Sequence, residues 1–364
     1  MDSPLDGNPR PEIGVVIAAH QAEPWIAATL ESVQAQTFTA FCCVVVDDGS
    51  RDATGEVARS TVGDDPRFRV VRRDQGGVSA ARNAGLAVLP GSCRYVVFLD
   101  SDDLWVSDAL EVLRAALETA PQFSGVTATA ELIDEDGTPI LPGVHPEKLR
   151  ERLVPRRGRL LRLPVEAPTS FESLATAGRI WPPAVALLRR DLVDDVGGFD
   201  EGLQISEDWD LFLRVSRRGD LGFLDRQVAW YRRRAGSLTA GDPGRVNYFN
   251  DLVRSKAWGA TENTAAQRKA AARAWRTVHL HASAQAASGV LPALRAASRS
   301  RVRRSAAAAL HLLLGVAATT PPAPRRDQGE ARAPLVAVVQ PNPRRRTLTL
   351  PDASSTTERT PTAR

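Results

Sequence analysis

The sequence predicts an α/β fold in which a mostly parallel central sheet carries flanking helices and is followed by C-terminal helices. Three apolar runs, residues 13–18, 42–46 and 95–99, have the length and composition of buried strands. Each is followed by a polar loop and then by a helical pattern, and three such units within roughly one hundred residues favour a parallel sheet. The loops at the carboxyl ends of its strands are then expected to meet at one edge of the sheet.

The loop after the third apolar run contains three acids, Asp100, Asp102 and Asp103. Burial of carboxylates costs free energy unless a cation or hydrogen bonds compensate them. Acids at the carboxyl end of a strand therefore indicate a ligand crevice, and hard oxygen ligands suit Mn²⁺ or Mg²⁺. An acidic turn that caps the next helix near Ser107 is the alternative, and this loop alone does not decide between them.

The second apolar run also ends in acids, Asp47 and Asp48, followed by Gly49 and Ser50. Gly49 allows a sharp turn, and Ser50 or Asp52 can cap the following helix. Two acidic strand ends at one edge favour a ligand site over a single chance turn.

Between these loops lies the segment QGGVSAARNAG, residues 75–85. Gly76 and Gly77 allow close backbone approach, and a helix that starts near Ser79 carries Arg82 in its first turn. A helix amino end with an arginine is a natural phosphate site, although a glycine turn with an exposed arginine gives the same pattern. The dinucleotide and P-loop fingerprints do not occur here.

A further helix is predicted within ISEDWDLFLRV, residues 205–215, with Ser206 as its cap. Its first turn carries Glu207, Asp208 and Asp210, where the helix dipole favours charged carboxylates. A carboxylate kept ionised beside a cleft can act as a general base. Common acidic decoration of a helix start is the simpler interpretation of this segment on its own.

Six motifs occur in order along the chain: VVIAAHQAEPWI, VVVDDGSRDAT, GGVSAARNAG, FLDSDDLW, GGFDEGL and SEDWDLFLR. Together they resemble an inverting family-two glycosyltransferase with a GT-A, Rossmann-like fold, over roughly residues 12–240. The resemblance implies transfer of a sugar from a nucleotide-diphosphate sugar, by preference a UDP-sugar, to a hydroxyl of a glycan, lipid-linked or small-molecule acceptor. It also places the enzyme in pathways such as polysaccharide biosynthesis.

The resemblance assigns roles residue by residue. Asp48 resembles the acid that contacts the nucleotide base, and Arg82 matches a position near the donor phosphates. Asp102 and Asp103 resemble the D-x-D-type pair, of which the first meets the ribose and the second holds a Mn²⁺ or Mg²⁺ ion. Asp208 resembles the catalytic base.

Other assignments rest on weaker matches to the family motifs. Gly77 and His20 are expected to border the nucleotide, although the first strand departs from the usual Pro-x-Tyr-Asn ending. Glu207, Trp209 and Arg234 are placed on the acceptor side, but Trp209 fits core packing equally well. Arg234 stands where the family commonly has His, so it is either a diphosphate contact or a solvated charge. These departures leave open a catalytically degenerate sugar-nucleotide-binding scaffold.

Composition agrees with a folded enzyme. Hydrophobic residues make up 43% of the 364-residue chain, which supports a sizeable core. Three cysteines give no disulfide framework, and the five histidines lack metal-ligand spacing. The net charge of +4 comes with no aromatic-interleaved basic patch, so nucleic acid is not an expected partner. Residues 1–11 lack an apolar core, which predicts a cytoplasmic protein.

The predicted organisation has four parts: a disordered N-terminus at 1–11, a catalytic domain at 12–242, a helical extension at 243–318 and a disordered tail at 319–364. Within the catalytic domain, 125–133 is predicted as a strand, 141–180 as irregular acceptor-side loops and 181–192 as a strand entering a helix. Residues 299–318 run from basic to apolar. They either contact the inner face of the plasma membrane peripherally or pack on protein.

Overall fold

The computed structural model describes residues 10–140, 151–157, 159–178, 180–234, 237 and 243–296. The strands in this part are β1 Ile13–Ala19, β2 Phe41–Asp48, β3 Phe68–Arg73, β4 Tyr95–Asp100, β5 Leu104–Trp105, β6 Gly125–Ile133, β7 Leu153–Arg156, β8 Arg159–Arg162, β9 Ala186–Arg189 and β10 Leu221–Arg232. The helices are α1 Ile26–Gln34, α2 Thr54–Val62, α3 Val78–Val88, α4 Ala109–Glu118, α5 Phe171–Thr176, α6 Arg190–Asp195, α7 Glu207–Ser216, α8 Pro243–Gly259 and α9 Ala265–Ala296.

The main sheet of the described residues has the strand order β3-β2-β1-β4-β9-β6-β10-β5. The first four of these strands are mutually parallel, and β6 and β10 are parallel to each other. Strand β9 runs antiparallel between β4 and β6, and β5 closes the far edge antiparallel to β10. The predicted α/β fold with a mostly parallel sheet is therefore confirmed.

Strands β1, β2 and β4 are almost wholly apolar because the layers on both faces bury them. Helix α3 covers β1 and β2, and Gly85 allows this close approach. A Cβ at Gly85 would lie 2.4 Å from Cγ1 of Val16. The β1 register pairs Ala19 with Asp47 and Ala18 with Asp100, so the two acidic strand ends lie at the same edge of the sheet.

Several local expectations are wrong. The stretch 141–180 was expected to be irregular, but its described part contains the β7–β8 hairpin and α5. Strand β10 was not predicted, because polar residues 225–227 interrupt its apolar pattern where its register with β6 shifts. Ser206 does not cap α7, since its backbone has a φ of 63° and its hydroxyl donates to Oδ1 of Asn250. Ser50 does not cap α2 either; Asp52 accepts the Thr54 amide at 3.1 Å.

The C-terminal helices pack onto the sheet domain: α8 contacts α7, and α9 contacts α5. Asn263, between them, donates to the carbonyl of Ala257 and accepts from Arg217, which ties this region to the end of α7. No helix in the described part of the chain is long and apolar enough to cross a membrane. The predictions for 1–9, 299–318 and 319–364 fall outside the described residues.

Candidate active site

The acidic loop after β4 presents its three carboxylates at different depths. The side chains of Asp100 and Asp102 are 31% and 15% exposed, whereas Asp103 is fully buried. Oδ1 of Asp103 accepts the Arg232 amide at 2.9 Å, and Oδ2 has no hydrogen-bond partner among the described residues. Burial and the charges of Asp102 and Asp100 raise the pKa of Asp103 well above its usual value.

The burial of Asp103 changes which acids are expected to bind a metal ion. Asp103 was predicted to hold a metal ion, but its carboxyl group has no exposed surface. Asp102 keeps accessible carboxylate surface, and its pKa is raised by burial and by Asp100. The geometry therefore favours Asp102, with Asp100 beside it, over Asp103 as the group that meets a cation.

Arg82 connects this loop to helix α7. Its Nη2 donates to Oδ1 of Asp100 at 2.5 Å, and its Nη1 donates to Oε1 of Glu207 at 2.7 Å. The side chain is 3% exposed and lies over the ring of Phe199. Burial alone would lower the pKa of Arg82, but Asp100 and Glu207 outweigh it and raise that pKa. Two carboxylates occupy the guanidinium, and the position near the donor phosphates stays a prediction.

Asp208 lies at the start of α7, next to Glu207 in the chain. Its Oδ1 accepts the Trp209 amide at 2.7 Å, and the side chain is half-buried. Burial and the neighbouring Glu207 charge raise the pKa of Asp208 to about 7, against the opposing effect of Arg82. A carboxylate with a pKa near neutrality has the proton affinity expected of a general base.

The end of β2 is built around Asp48. Its two carboxylate oxygens accept the amides of Gly76 at 3.0 Å and Gly77 at 2.7 Å. Its carbonyl lies 2.9 Å from Nδ1 of His20. Nε2 of the same ring lies 3.2 Å from Nε2 of the Gln75 side chain. Of the three residues expected to border the nucleotide, His20 and Gly77 therefore both contact Asp48.

The neighbouring acid, Asp47, is wholly buried and has a different set of partners. It accepts the Ser50 amide at 2.9 Å and a guanidinium hydrogen bond from Arg72 at 3.0 Å. Arg72 also donates to the Ser50 carbonyl at 2.7 Å, which closes the turn after β2. Asp47 is thus a structural acid of this turn.

The end of β10 contributes two arginines to the acidic loop: Arg232, which sequence reasoning did not identify, and Arg234, for which a diphosphate contact was one interpretation. Arg232 is buried and donates through Nε to the Asp102 carbonyl and through Nη1 to the carbonyls of Asp134 and Glu135. Arg234 donates through Nε to Oδ2 of Asp102 at 2.5 Å. Arg234 was placed on the acceptor side, but it contacts the acidic loop. The unpredicted strand β10 is the reason, because no local signal brings residue 234 to residue 102.

The acceptor-side prediction for Trp209 is also not supported. Its indole is buried, donates to the Leu174 carbonyl at 2.9 Å and lies beneath the guanidinium of Arg254. A Cβ at Gly178 would lie 2.5 Å from the ring, so the indole is tightly packed. Core packing, one of the two interpretations of Trp209, is the one that the contacts favour. Glu207 is buried as well, and its Oε1 is taken by Arg82.

The acids at this edge of the sheet fit a divalent cation that completes its coordination with phosphate oxygens and water. No group of three or more His, Cys, Asp or Glu side chains within the described ranges could hold a metal ion by itself. Mg²⁺ sites commonly use one or two carboxylates and complete their coordination with phosphate oxygens and water. The exposed surface of Asp100 and Asp102, and the raised pKa of Asp102, fit such a site.

Comparison with known proteins agrees with this architecture. Residues 14–175 match the family model described as Glycosyl transferase family 2. Residues 14–175 therefore form a glycosyl transferase family 2 domain. The family domain therefore contains β1 to β4 with the acidic loops of β2 and β4, whereas Asp208 and Arg234 lie beyond the matched residues.

Two curated relatives and one solved structure illustrate the likeness. EpsJ of Bacillus subtilis, an uncharacterised glycosyltransferase, is 29% identical over 63% of this chain and 63% of its own length. Chondroitin synthase of Pasteurella multocida is 27% identical over 59% of this chain and 20% of its own. The structure of S. aureus TarS 1-349 in complex with UDP-GlcNAc has a TM-score of 0.56 and 18% identity, covering 73% of this chain and 72% of that one.

The coverages and identities limit what can be inferred from these relatives. The chain spans less than two thirds of the length of each of the two curated relatives. At 18% identity the likeness to TarS concerns the fold alone. About 37% of the length of EpsJ and about 80% of that of chondroitin synthase lie outside the matched region.

Proposed function

We propose that this protein is an inverting glycosyltransferase that moves a sugar from a nucleotide-diphosphate sugar to an acceptor hydroxyl. The observation that carries the proposal is a continuous set of contacts across the sheet edge. Arg82 binds Asp100 at the end of β4 and Glu207 at the start of α7, and Asp208 directly follows Glu207. A candidate base and the candidate metal ligands therefore border one region.

The donor nucleoside is proposed to bind at the end of β2. There the Asp48 carboxylate fixes the Gly76 and Gly77 amides, and His20 lies against the Asp48 carbonyl. A Cβ built on Gly77 would meet no heavy atom within 4 Å, so this turn borders open space. The solved complex of TarS with UDP-GlcNAc supports a UDP-sugar as the donor class.

A divalent ion, Mn²⁺ or Mg²⁺, is proposed to be held by Asp102 with help from Asp100. When bound there, such an ion would neutralise charge on the departing diphosphate. Buried Arg82 keeps Asp100 at the mouth of the site and is assigned a positioning role. Arg232 fixes the loop itself, since it donates to the Asp102 carbonyl at 2.8 Å.

The proposed chemistry is a single displacement. The Asp208 carboxylate accepts the proton of the acceptor hydroxyl as that oxygen bonds to the anomeric carbon. The bond from the anomeric carbon to the diphosphate oxygen breaks on the opposite face, and the nucleoside diphosphate leaves. One displacement inverts the anomeric configuration. The acceptor is proposed to be a growing glycan or a related hydroxyl compound, which the likeness to chondroitin synthase supports.

The decisive experiment compares the full chain with its Asp208→Asn variant. UDP-GlcNAc, UDP-glucose and GDP-mannose are screened with Mn²⁺ by thermal shift, and the donor that binds is then assayed for nucleoside diphosphate release. We expect the variant to lose about 10²–10⁴-fold in turnover, the usual contribution of a general base. Its thermal shift with the donor should remain. Product analysis by NMR should give the inverted anomer.

Asp195→Asn is the matched control, because Asp195 is an exposed acid that pairs with Arg218 at the surface. It should keep the turnover of the unmodified protein. Turnover retained by Asp208→Asn would refute the base assignment. Donor binding without turnover in the unmodified protein would instead favour a sugar-nucleotide-binding scaffold.

A further inference from the structure

Each acid of the loop after β4 already has a partner from elsewhere in the chain. Asp100 accepts from Arg82, and Asp103 accepts the backbone amide of Arg232. Asp102 accepts from Arg234 at 2.5 Å. The protein thus compensates this acidic loop with groups of its own chain.

Two of these partners are fixed by further contacts. Arg82 is buried and shared with Glu207, so its release would leave two acids without their cation. The donor to Asp103 is a main-chain amide of β10, and the Arg232 guanidinium is held by backbone carbonyls. Neither partner can withdraw without disturbing the sheet edge.

Arg234 is held differently. Within the described residues its guanidinium contacts one carboxylate, that of Asp102, and lies 4.7 Å from the centre of the Trp25 ring. The side chain is 25% exposed and follows the last residue of β10 by two positions. It can therefore leave Asp102 at the expense of one ion pair and one ring contact.

We propose that Arg234 is the internal counter-cation of Asp102 and competes with a divalent metal ion for that carboxylate. The inference rests on the proposed function, which assigns the metal to Asp102. The guanidinium takes the Oδ2 oxygen, and a dication brought to the same carboxylate meets a positive charge at hydrogen-bond distance. The donor-free protein therefore binds metal weakly, and metal binding requires Arg234 to move.

The ring of Trp25 strengthens this competition. An arginine over an aromatic face gains cation–π attraction, and the planar guanidinium is more weakly hydrated than an ammonium group. Trp25 therefore favours the conformation that keeps Arg234 on Asp102. A lysine at position 234 would hold the carboxylate less well, because its point charge lacks the planar fork.

The test measures binding of Mn²⁺ alone, by electron paramagnetic resonance of the free ion, at fixed ionic strength and without nucleotide. Arg234→Gln should bind Mn²⁺ at least about tenfold more tightly than the unmodified chain, the size expected for removing one charge-assisted hydrogen bond. Arg233→Gln is the matched control, because it removes the same charge from the exposed neighbouring residue. It should change the affinity much less.

Two further variants keep the outcome interpretable. Trp25→Leu removes the ring beside the guanidinium and should tighten Mn²⁺ binding by a smaller factor; it decides the matter if Arg234→Gln does not fold. Asp102→Asn should abolish the tight binding gained by Arg234→Gln when the two are combined. The inference is overturned if Arg234→Gln and Arg233→Gln have equal Mn²⁺ affinities. It is also overturned if neither variant binds Mn²⁺ detectably.

The failure of this inference is distinguishable from failure of the proposed function. If Asp102→Asn weakens Mn²⁺ binding but Arg234→Gln leaves it unchanged, Asp102 holds the metal and only the competition is refuted. If Arg234→Gln tightens Mn²⁺ binding but the added Asp102→Asn change leaves that gain intact, the metal assignment itself is wrong and the inference falls with it.

Discussion

The acidic ends of β2 and β4 arise from nearly the same sequence pattern, yet the protein uses their carboxylates differently. At the end of β2, Asp48 accepts two backbone amides and Asp47 accepts one amide and a guanidinium. At the end of β4, the side chains of Asp100 and Asp102 are paired with arginine side chains and keep exposed surface. The amides that hold Asp48 belong to the main chain, whereas Arg234, the partner of Asp102, is a partly exposed side chain that can exchange its partner.

This difference indicates which acids are structural and which are available for chemistry. The β2 acids shape the turns that border the proposed nucleoside site, and the β4 acids carry charge that a ligand can take over. The distinction extends to α7, because Arg82 connects Asp100 to the first turn of that helix. The following variants test it, in order of decreasing expected effect.

The largest effect is expected from Arg82→Gln, which breaks the connection between β4 and α7. Removal of one partner of a buried ion pair costs about 3–5 kcal/mol, and here the Glu207 charge would stay buried without its cation. Urea unfolding of the full chain should show a loss of this order. Arg94→Gln is the control, since Arg94 pairs with Glu12 while 60% of its side chain is exposed. Exposed pairs contribute about 0–1 kcal/mol, so equal losses would contradict the assignment.

The next effect concerns the pH dependence of transfer. Asp208 acts as a base only when ionised, and its pKa is raised to about 7. The value of kcat/KM should therefore fall about tenfold for each pH unit below 7. Glu207→Gln should move this limb to lower pH, because the Glu207 charge raises the pKa of Asp208. A pH profile that is the same in both proteins would argue against Asp208 as the titrating group.

The smallest effect is expected at the β2 end, from Asp48→Asn. The amide retains one acceptor oxygen but turns its NH₂ group toward a backbone N–H, which leaves one amide without an acceptor. A backbone donor left without an acceptor costs about 1–3 kcal/mol when buried, and the exposure of Gly76 and Gly77 to water places the expected loss at the low end of that range. Mn²⁺ affinity should be unchanged, because Asp48 belongs to the other acidic end. A large loss of Mn²⁺ affinity in Asp48→Asn would contradict the distinction between the acids at the end of β2 and those at the end of β4.

Much of the fold could be predicted from the sequence. Strands β1, β2, β4 and β6, and the helices that follow the first three of them, were identified from apolar runs and turn residues. These signals are local, because side-chain periodicity and glycine conformations act over a few residues. Strand β10 was not predicted for the same reason. The polar residues 225–227 interrupt its local pattern, and only its pairing with β6 shows that it is a strand.

The site was predicted less completely. The acids at 48, 100, 102, 103 and 208 were predicted as candidates, and the sheet register explains why the strand ends meet. Their partners were not identified. Arg82 was expected at the phosphates and contacts Glu207, which is 125 positions away in the sequence. Arg234 was expected on the acceptor side and contacts Asp102, which is 132 positions away.

The sequence by itself determined that acidic loops follow buried parallel strands, because strand length, burial and turn chemistry are properties of neighbouring residues. Only the tertiary structure decided which of those acids are held by backbone amides, which are held by arginines, and that Asp103 lies beneath the surface. Burial and charge compensation depend on atoms that meet across the whole chain. For this protein, those long-range partners separate the structural acids from the acids proposed to act in transfer.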